Sequence, residues 1–304
     1  MTVHWVKQLN KQGWAKGAAI FSGLTFGIYW IPLREMESSG FFGLWSLSMF
    51  NLISALIVFP LVVHRWKQLI PGRFKLHIGT FIAGVGFVCY AGAFLYTEVV
   101  RVIVLFYLLP IWGFLLARAV TGEKITKVRW LSMFLGLCGL VVICGTDQGI
   151  PMPRNAGDWM ALLAGILWAL ASMLMLTDRD DAVNYTLGFL FWSTILSLIA
   201  AFIGTYSGVI SKPDWGELEV TALWLIPFSI VIIIPAAFAT MYGPSQLNPG
   251  TVGLLFMTEI SVGTITAAIW AGERFGYEEI IGVSLITLAG CVEPLWQKMR
   301  RGSK

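Results

Sequence analysis

Phe41 to Val63 reads FFGLWSLSMFNLISALIVFPLVV, a run without a single Asp, Glu, Lys or Arg. Its length decides the fold. Wound as a helix it reaches across the roughly 30 Å hydrocarbon layer of a bilayer, and it lacks the alternation of apolar and polar residues that a half-exposed element in water would need. Working outward along the chain, similar runs occupy Trp14 to Leu33, Leu76 to Tyr96, Val99 to Ala117, Trp130 to Thr146 and Gly157 to Thr177. They continue at Asn184 to Tyr206, Thr221 to Tyr242, Pro249 to Ala271 and Glu278 to Gln297. Ten spans are therefore expected.

The composition agrees, with 57% hydrophobic and only 12% charged residues against about 25% charged in soluble domains. A lipid-facing backbone must satisfy its own hydrogen bonds, and these runs lack the dyad alternation of barrel strands. The expected fold class is an all-α integral membrane protein. The first span follows a polar lead with Lys7 and Lys11 and has no A-x-A-like cleavage pattern, so it is expected to be retained. Cys89, Cys138, Cys144 and Cys291 fall inside spans without metal-site spacing and read as small packing residues.

With both termini in the cytoplasm, sixteen of the 21 Lys and Arg residues fall inside, leaving Arg34, Arg101, Arg154, Lys212 and Arg274 outside. That asymmetry obeys the positive-inside rule. It places the chain in a bacterial-type inner membrane among its lipids, and the net charge of +4 calls for no nucleic acid.

A repeat appears at an offset of 150: Val102, Leu105, Phe106, Ala117, Gly122 and Glu123 match Val252, Leu255, Phe256, Ala267, Gly272 and Glu273. Five spans separate the copies, so helix four and helix nine cross the membrane in opposite senses. The expected organisation is two inverted five-helix repeats, residues 1–148 and 149–304. Such halves can exchange conformations around one central site and expose it alternately to either side.

The stretch Val102 to Thr126, VIVLFYLLPIWGFLLARAVTGEKIT, resembles the signature of EamA domains in the drug/metabolite transporter superfamily. Its elements are an apolar helix, Pro110, a run of small and apolar residues, and Gly122-Glu123 before a basic turn; the copy ending in Gly272 and Glu273 resembles the same pattern. The resemblance implies ten spans in two inverted halves, cytoplasmic termini, and export or exchange of small metabolites by secondary transport. Ile260 stands where Pro110 stands in the first copy, so a break in helix four is expected to be missing from helix nine.

No G-x-x-x-x-G-K-[ST] sequence occurs, which removes ATP-driven transport through a phosphate-cradling loop. His4, His64 and His77 read as lead or loop residues, no ligand cluster forms with Cys, and neither a metal nor a cofactor is expected.

Glu259 is the one carboxylate near the middle of a span. A charge there costs about 2.5–3.5 kcal/mol on insertion scales, which makes a functional role the default reading, as substrate ligand or as carrier of a coupling proton. A neutral Glu bonded to a neighbouring helix is the structural alternative. Helical spacing places Phe256, Glu259, Gly263, Thr266 and Trp270 on one face. The offset sets Phe106 opposite, with Trp112 beside it. Asn51 is a second polar group inside a span, and Tyr90, Tyr107, Trp30 and Trp168 are aromatic candidates for a cavity wall, or else parts of an interfacial belt. A carboxylate among aromatic faces suits an ammonium, so an amino-acid-like compound or an amine, quaternary ones included, is the expected substrate.

Two other readings compete. A lipid-modifying membrane enzyme would need clustered carboxylates, for which only Asp178-Arg179-Asp180-Asp181 offers material, and that stretch reads better as a solvated turn. A channel would need rings of polar residues along several helices. Glu123 and Glu273 read as structural groups that bond the start of the following helix, and Gly79, Gly84, Gly86 and Gly92 as close-packing positions.

Overall fold

The computed structural model describes residues 2–70, 73–97, 99–144, 153–178, 180–271 and 276–302; side chains at 2–10, 30, 99–100, 143–144, 271, 293–294 and 297–302 are excepted. In chain order the helices are α1 (Thr2–Gly27), α2 (Trp30–Ser38), α3 (Leu44–His64), α4 (Trp66–Leu69) and α5 (Phe74–Ala93). Next come α6 (Val99–Phe106), α7 (Leu109–Thr121), α8 (Lys127–Cys144), α9 (Ala156–Asp178) and α10 (Ala182–Tyr206). The chain ends with α11 (Leu218–Phe228), α12 (Ile234–Gln246), α13 (Pro249–Phe256), α14 (Thr258–Thr266) and α15 (Tyr277–Gly302). No strand occurs among the described residues, so the protein is all-α there.

Among the described residues, seven helical stretches are long and apolar enough to cross a membrane: Leu44–His64, Phe74–Ala93, Arg101–Thr121, Ala156–Asp178, Ala182–Tyr206, Trp215–Gln246 and Pro249–Trp270. Their outer faces carry large apolar side chains such as Phe59, Phe202 and Ile203, each about three-fifths exposed. Such a surface suits acyl chains, whereas in water it would form a sticky patch. The chain is a multi-pass membrane protein.

Hydrocarbon gives packed helices no hydrophobic drive, so close approach must come from small residues. Gly157 and Gly165 supply it on α9. A Cβ at Gly157 would stand 2.8 Å from the Ala93 carbonyl oxygen, and one at Gly165 would stand 2.6 Å from that of Phe106. The backbone of α9 thus lies directly on α5 and α6. In the same way α7 and α13 cross where a Cβ at Gly113 would meet the Gly250 nitrogen at 2.4 Å. The ends of these elements are capped in ways the sequence shows: Asp181 accepts from the Val183 N–H ahead of α10, Asn248 accepts from the Gly250 N–H ahead of Pro249, and Gly122 closes α7 at φ 70°.

Helix four breaks at Tyr107 and Leu108, between α6 and α7, as Pro110 leads one to expect: a proline cannot donate to the Phe106 carbonyl. Helix nine breaks too, at Met257, against the expectation drawn from Ile260. The cause there is tertiary. The Phe256 carbonyl accepts the Tyr107 hydroxyl at 3.1 Å, and Ile260 N–H turns to Met257 O at 3.0 Å. The breaks lie 150 residues apart, at matching positions of the repeated sequence.

Other expectations need revision. His77 lies in α5, with Nε2 bonded to the Leu69 carbonyl. Arg101, counted among the outside charges, is a buried member of α6. Asp180 and Asp181 pair with Arg73 and Arg65 at 2.9 and 2.7 Å, so the acidic turn ties α10 to the ends of α3 and α5. Cys291 is exposed on α15 rather than packed. Gly272, Glu273 and Arg179, and the side chains of His4 and Cys144, lie outside the described residues.

Candidate functional site

The break before α14 places Glu259 in that helix's first turn. Unpaired N–H groups and the helix dipole favour negative charge there. The carboxylate is shared with two other helical segments. Tyr107, standing in the break of helix four, donates to Oε2 at 2.6 Å, and Tyr90 of α5 donates to Oε1 at 3.3 Å. Two phenolic donors on one carboxylate compensate part of what burial removes, since hydrogen bonds to a charged group are the stronger kind.

Glu259 borders a hollow at the centre of the bundle. Phe26 of α1, Phe87 and Tyr90 of α5, Phe106 of α6, Trp168 of α9 and Phe256 of α13 form its aromatic wall. The rings grip one another, with Tyr90 to Phe106 centroids 4.4 Å apart and Trp168 to Phe256 at 6.4 Å. Ser22 and Thr240 add a hydroxyl pair, 2.6 Å apart, that joins α1 to α12. Gly23 and Gly86 complete the lining. About 460 Å³ is left unfilled by atoms, the mouth included, and about 40 Å³ of it admits the centre of a water molecule. A few waters fit there.

The sequence candidates divide. Glu259, Phe256, Phe106, Tyr90 and Trp168 line the hollow, and Tyr107 backs it through its bond to Glu259. Gly263 and Thr266 face α1 instead, where Thr266 Oγ1 donates to the Gly27 carbonyl at 3.4 Å. Trp270 points outward, 66% exposed. It sits in a π-helical turn, Ala267–Ala271, whose wider winding shifts the face that regular helical spacing would give it. Trp112 is partly buried against the core but is not a lining residue. Asn51 is buried in α3, and its Nδ2 has no hydrogen-bond partner. The Trp30 side chain lies outside the described residues.

Spacing alone does not single out Ser22, Phe26, Phe87 and Thr240. A hydroxyl in a span that bonds its own helix, as Thr240 Oγ1 does with Ala236 O at 2.7 Å, looks the same whether or not it also edges a cavity.

Apolar helices around a hollow that holds one carboxylate, with two of the contributing helices broken at that level, define a membrane transporter. Residues 13–145 match the EamA-like transporter family, the family whose signature Val102 to Thr126 resembles. The chain is similar to the chloramphenicol-sensitive protein RarD of Pseudomonas aeruginosa, 24% identical over 261 residues that make up 86% of this chain and 74% of that protein. Its fold is similar to that of a solved crystal structure, with a TM-score of 0.73 at 15% identity, covering 94% of this chain and 98% of the other.

Proposed function

We propose that the protein is a gradient-driven carrier of a small polar metabolite, amino-acid-like or an amine, working by alternating access. In this reading ten helices span a bacterial-type inner membrane as two inverted repeats, residues 1–148 and 149–304, with both termini in the cytoplasm. Glu259 receives the substrate's ammonium or the coupling proton. Proton and cation then compete for one carboxylate, and that competition yields exchange.

One observation carries the reading: Glu259 is held at the breaks of two helices and borders a central hollow. Discontinuous helices meeting at mid-membrane are where carriers of inverted design hold their cargo. The matching breaks, 150 residues apart, support the repeat. The test is uptake into proteoliposomes under an imposed proton gradient. Glu259→Gln should abolish it while leaving the thermal unfolding curve of the purified protein nearly unchanged; wild-type uptake by the variant refutes the reading.

A further inference from the structure

We propose that the hollow beside Glu259 takes a monocation with N–H groups and no carboxylate, an amine rather than an amino acid. This rests on the carrier reading and narrows it. The count of available protons decides the matter. Thr240 Oγ1 spends its proton on the Ala236 carbonyl, so in the 2.6 Å contact with Ser22 the serine must donate. Tyr107 gives its proton to Glu259 Oε2, with Phe256 O also in range, and Tyr90 gives its own to Oε1. Every hydroxyl proton around the carboxylate and the hollow is thus committed. No Lys, Arg or His is among the lining residues.

Apart from one indole N–H, at Trp168, what the wall still offers is lone pairs and ring faces. Both suit an ammonium, through hydrogen bonds to the carboxylate and through cation-π contact. An amino acid brings the same ammonium together with a carboxylate that would lose its water and gain no counter-charge. Trp168 Nε1 is a buried donor without a partner on this wall. One neutral N–H serves a hydroxyl, ether or carbonyl oxygen; it does not replace the hydration of an anion.

The experiment uses three probes that share a phenyl ring: 2-phenylethylamine, L-phenylalanine and 3-phenylpropionate. Each is titrated onto the full-length protein in nanodiscs, with wild type and Glu259→Gln side by side. The amine should bind at least tenfold more tightly than the amino acid, the propionate should not bind, and Glu259→Gln should remove amine binding. Equal or tighter binding of phenylalanine, or no binding of the amine, overturns the proposal. If phenylalanine is preferred and its binding disappears in Glu259→Gln, the carrier reading stands while the amine proposal falls. Binding indifferent to Glu259 defeats both.

A separate observation assigns a lock at one end of the hollow. Arg101 of α6 grips Asp158 of α9 through Nε, 3.1 Å from each carboxylate oxygen, and through Nη2, while Thr97 and the Arg154 N–H donate to the same carboxylate at 2.8 Å. Asp158 is wholly buried and Arg101 nearly so. Three helices that line the hollow converge on this knot: α5 just beyond its end at Thr97, and α6 and α9 at their beginnings. Beyond it, Gly157 and Gly165 seat α9 on α5 and α6. Opening this end requires Arg101 and Asp158 to part. At the opposite end the ties are Arg65 to Asp181, Arg73 to Asp180, and Glu123 to Arg129 and Asn248, all with at least one partner in solvent. The geometry points to Arg101–Asp158 as the gate that stays shut at rest.

Ala161, buried between the knot and the hollow, serves as the reporter. In a background without native cysteines, Ala161→Cys should resist a membrane-impermeant maleimide in sealed vesicles of either orientation. Adding Asp158→Asn should speed labelling at least fivefold from one side, and exchanging the two charges, Arg101→Asp with Asp158→Arg, should restore protection. Unchanged labelling in a folded Asp158→Asn protein, or equal acceleration from both sides, makes the pair a structural bond only and overturns the assignment. Should Asp158→Asn not fold, Asp158→Glu takes its place: faster labelling from one side supports the gate, and unchanged or two-sided labelling overturns it.

Discussion

The Tyr107 hydroxyl reaches the Glu259 carboxylate at 2.6 Å and the Phe256 carbonyl at 3.1 Å, so a side chain from one broken helix closes the break in another. Movement of α6 and α7 against α13 and α14 therefore strains the bonds that Tyr107 makes to Glu259 and Phe256. In the proposed carrier, a proton or cation arriving at the carboxylate would change the strength of that link and so bias helix position.

Removing this link should slow transport more than removing its neighbour. Tyr107→Phe loses a short bond to a carboxylate and leaves a carbonyl without its side-chain donor, an effect of about 1.5–3 kcal/mol or ~10–100-fold in rate if the bond persists through the cycle. Tyr90→Phe loses a contact of 3.3 Å and should cost only a few-fold. Initial uptake rates of the two variants in proteoliposomes provide the comparison, and the reverse order would contradict the assignment.

The crossing of α7 and α13 should tolerate no added carbon. A Cβ at Gly250 would stand 2.3–2.5 Å from the Phe114 ring, so Gly250→Ala should destabilise by about 1–3 kcal/mol through overpacking. Phe114→Leu placed in the same chain should recover part of the loss. Thermal unfolding in one detergent, with single and double variants compared, reads the coupling.

The acidic turn predicts a modest acid sensitivity. The Arg65 guanidinium bonded to Asp181 holds that carboxyl below the usual carboxylate range. A lowered folded value means the contribution is present above the unfolded Asp value, about 3.9, and lost as pH falls through the folded one. Asp181 is half exposed, so the pair should contribute less than about 1 kcal/mol. Asp181→Asn keeps the helix cap and loses the charge. It should unfold slightly earlier than wild type at pH 7, and the two should converge as pH falls below the lowered folded value of Asp181. Asp181→Ala also loses the cap and should fall a further ~1 kcal/mol.

Much of the architecture is legible because lipid imposes its own pattern: a run such as Phe41 to Val63 has no role in water, and α3 is found at Leu44–His64. Glu259 is conspicuous for the same reason, a lone carboxylate in apolar sequence. What stays hidden depends on partners distant in the chain. The break at Met257 has no proline and follows from Tyr107. Arg101 and Asp158 look like separate span-end charges until α6 and α9 pack, and Ser22 and Thr240, which join α1 to α12, look like ordinary helix hydroxyls. Trp270 fails to face inward because helical spacing assumes uniform winding, and the π-helical turn at Ala267–Ala271 breaks that assumption.

As proposed, Glu259 is a ligand-bearing carboxylate in a solvent-reachable hollow. Dicyclohexylcarbodiimide, an apolar reagent that couples to carboxyl groups, tests it when modification of the peptide containing Glu259 is followed by mass spectrometry with and without saturating 2-phenylethylamine. Glu259 should be modified, and the amine should suppress that modification in a dose-dependent way. Modification unaffected by any transported ligand, or none at Glu259 while Glu123 and other peripheral carboxyls react, would contradict it.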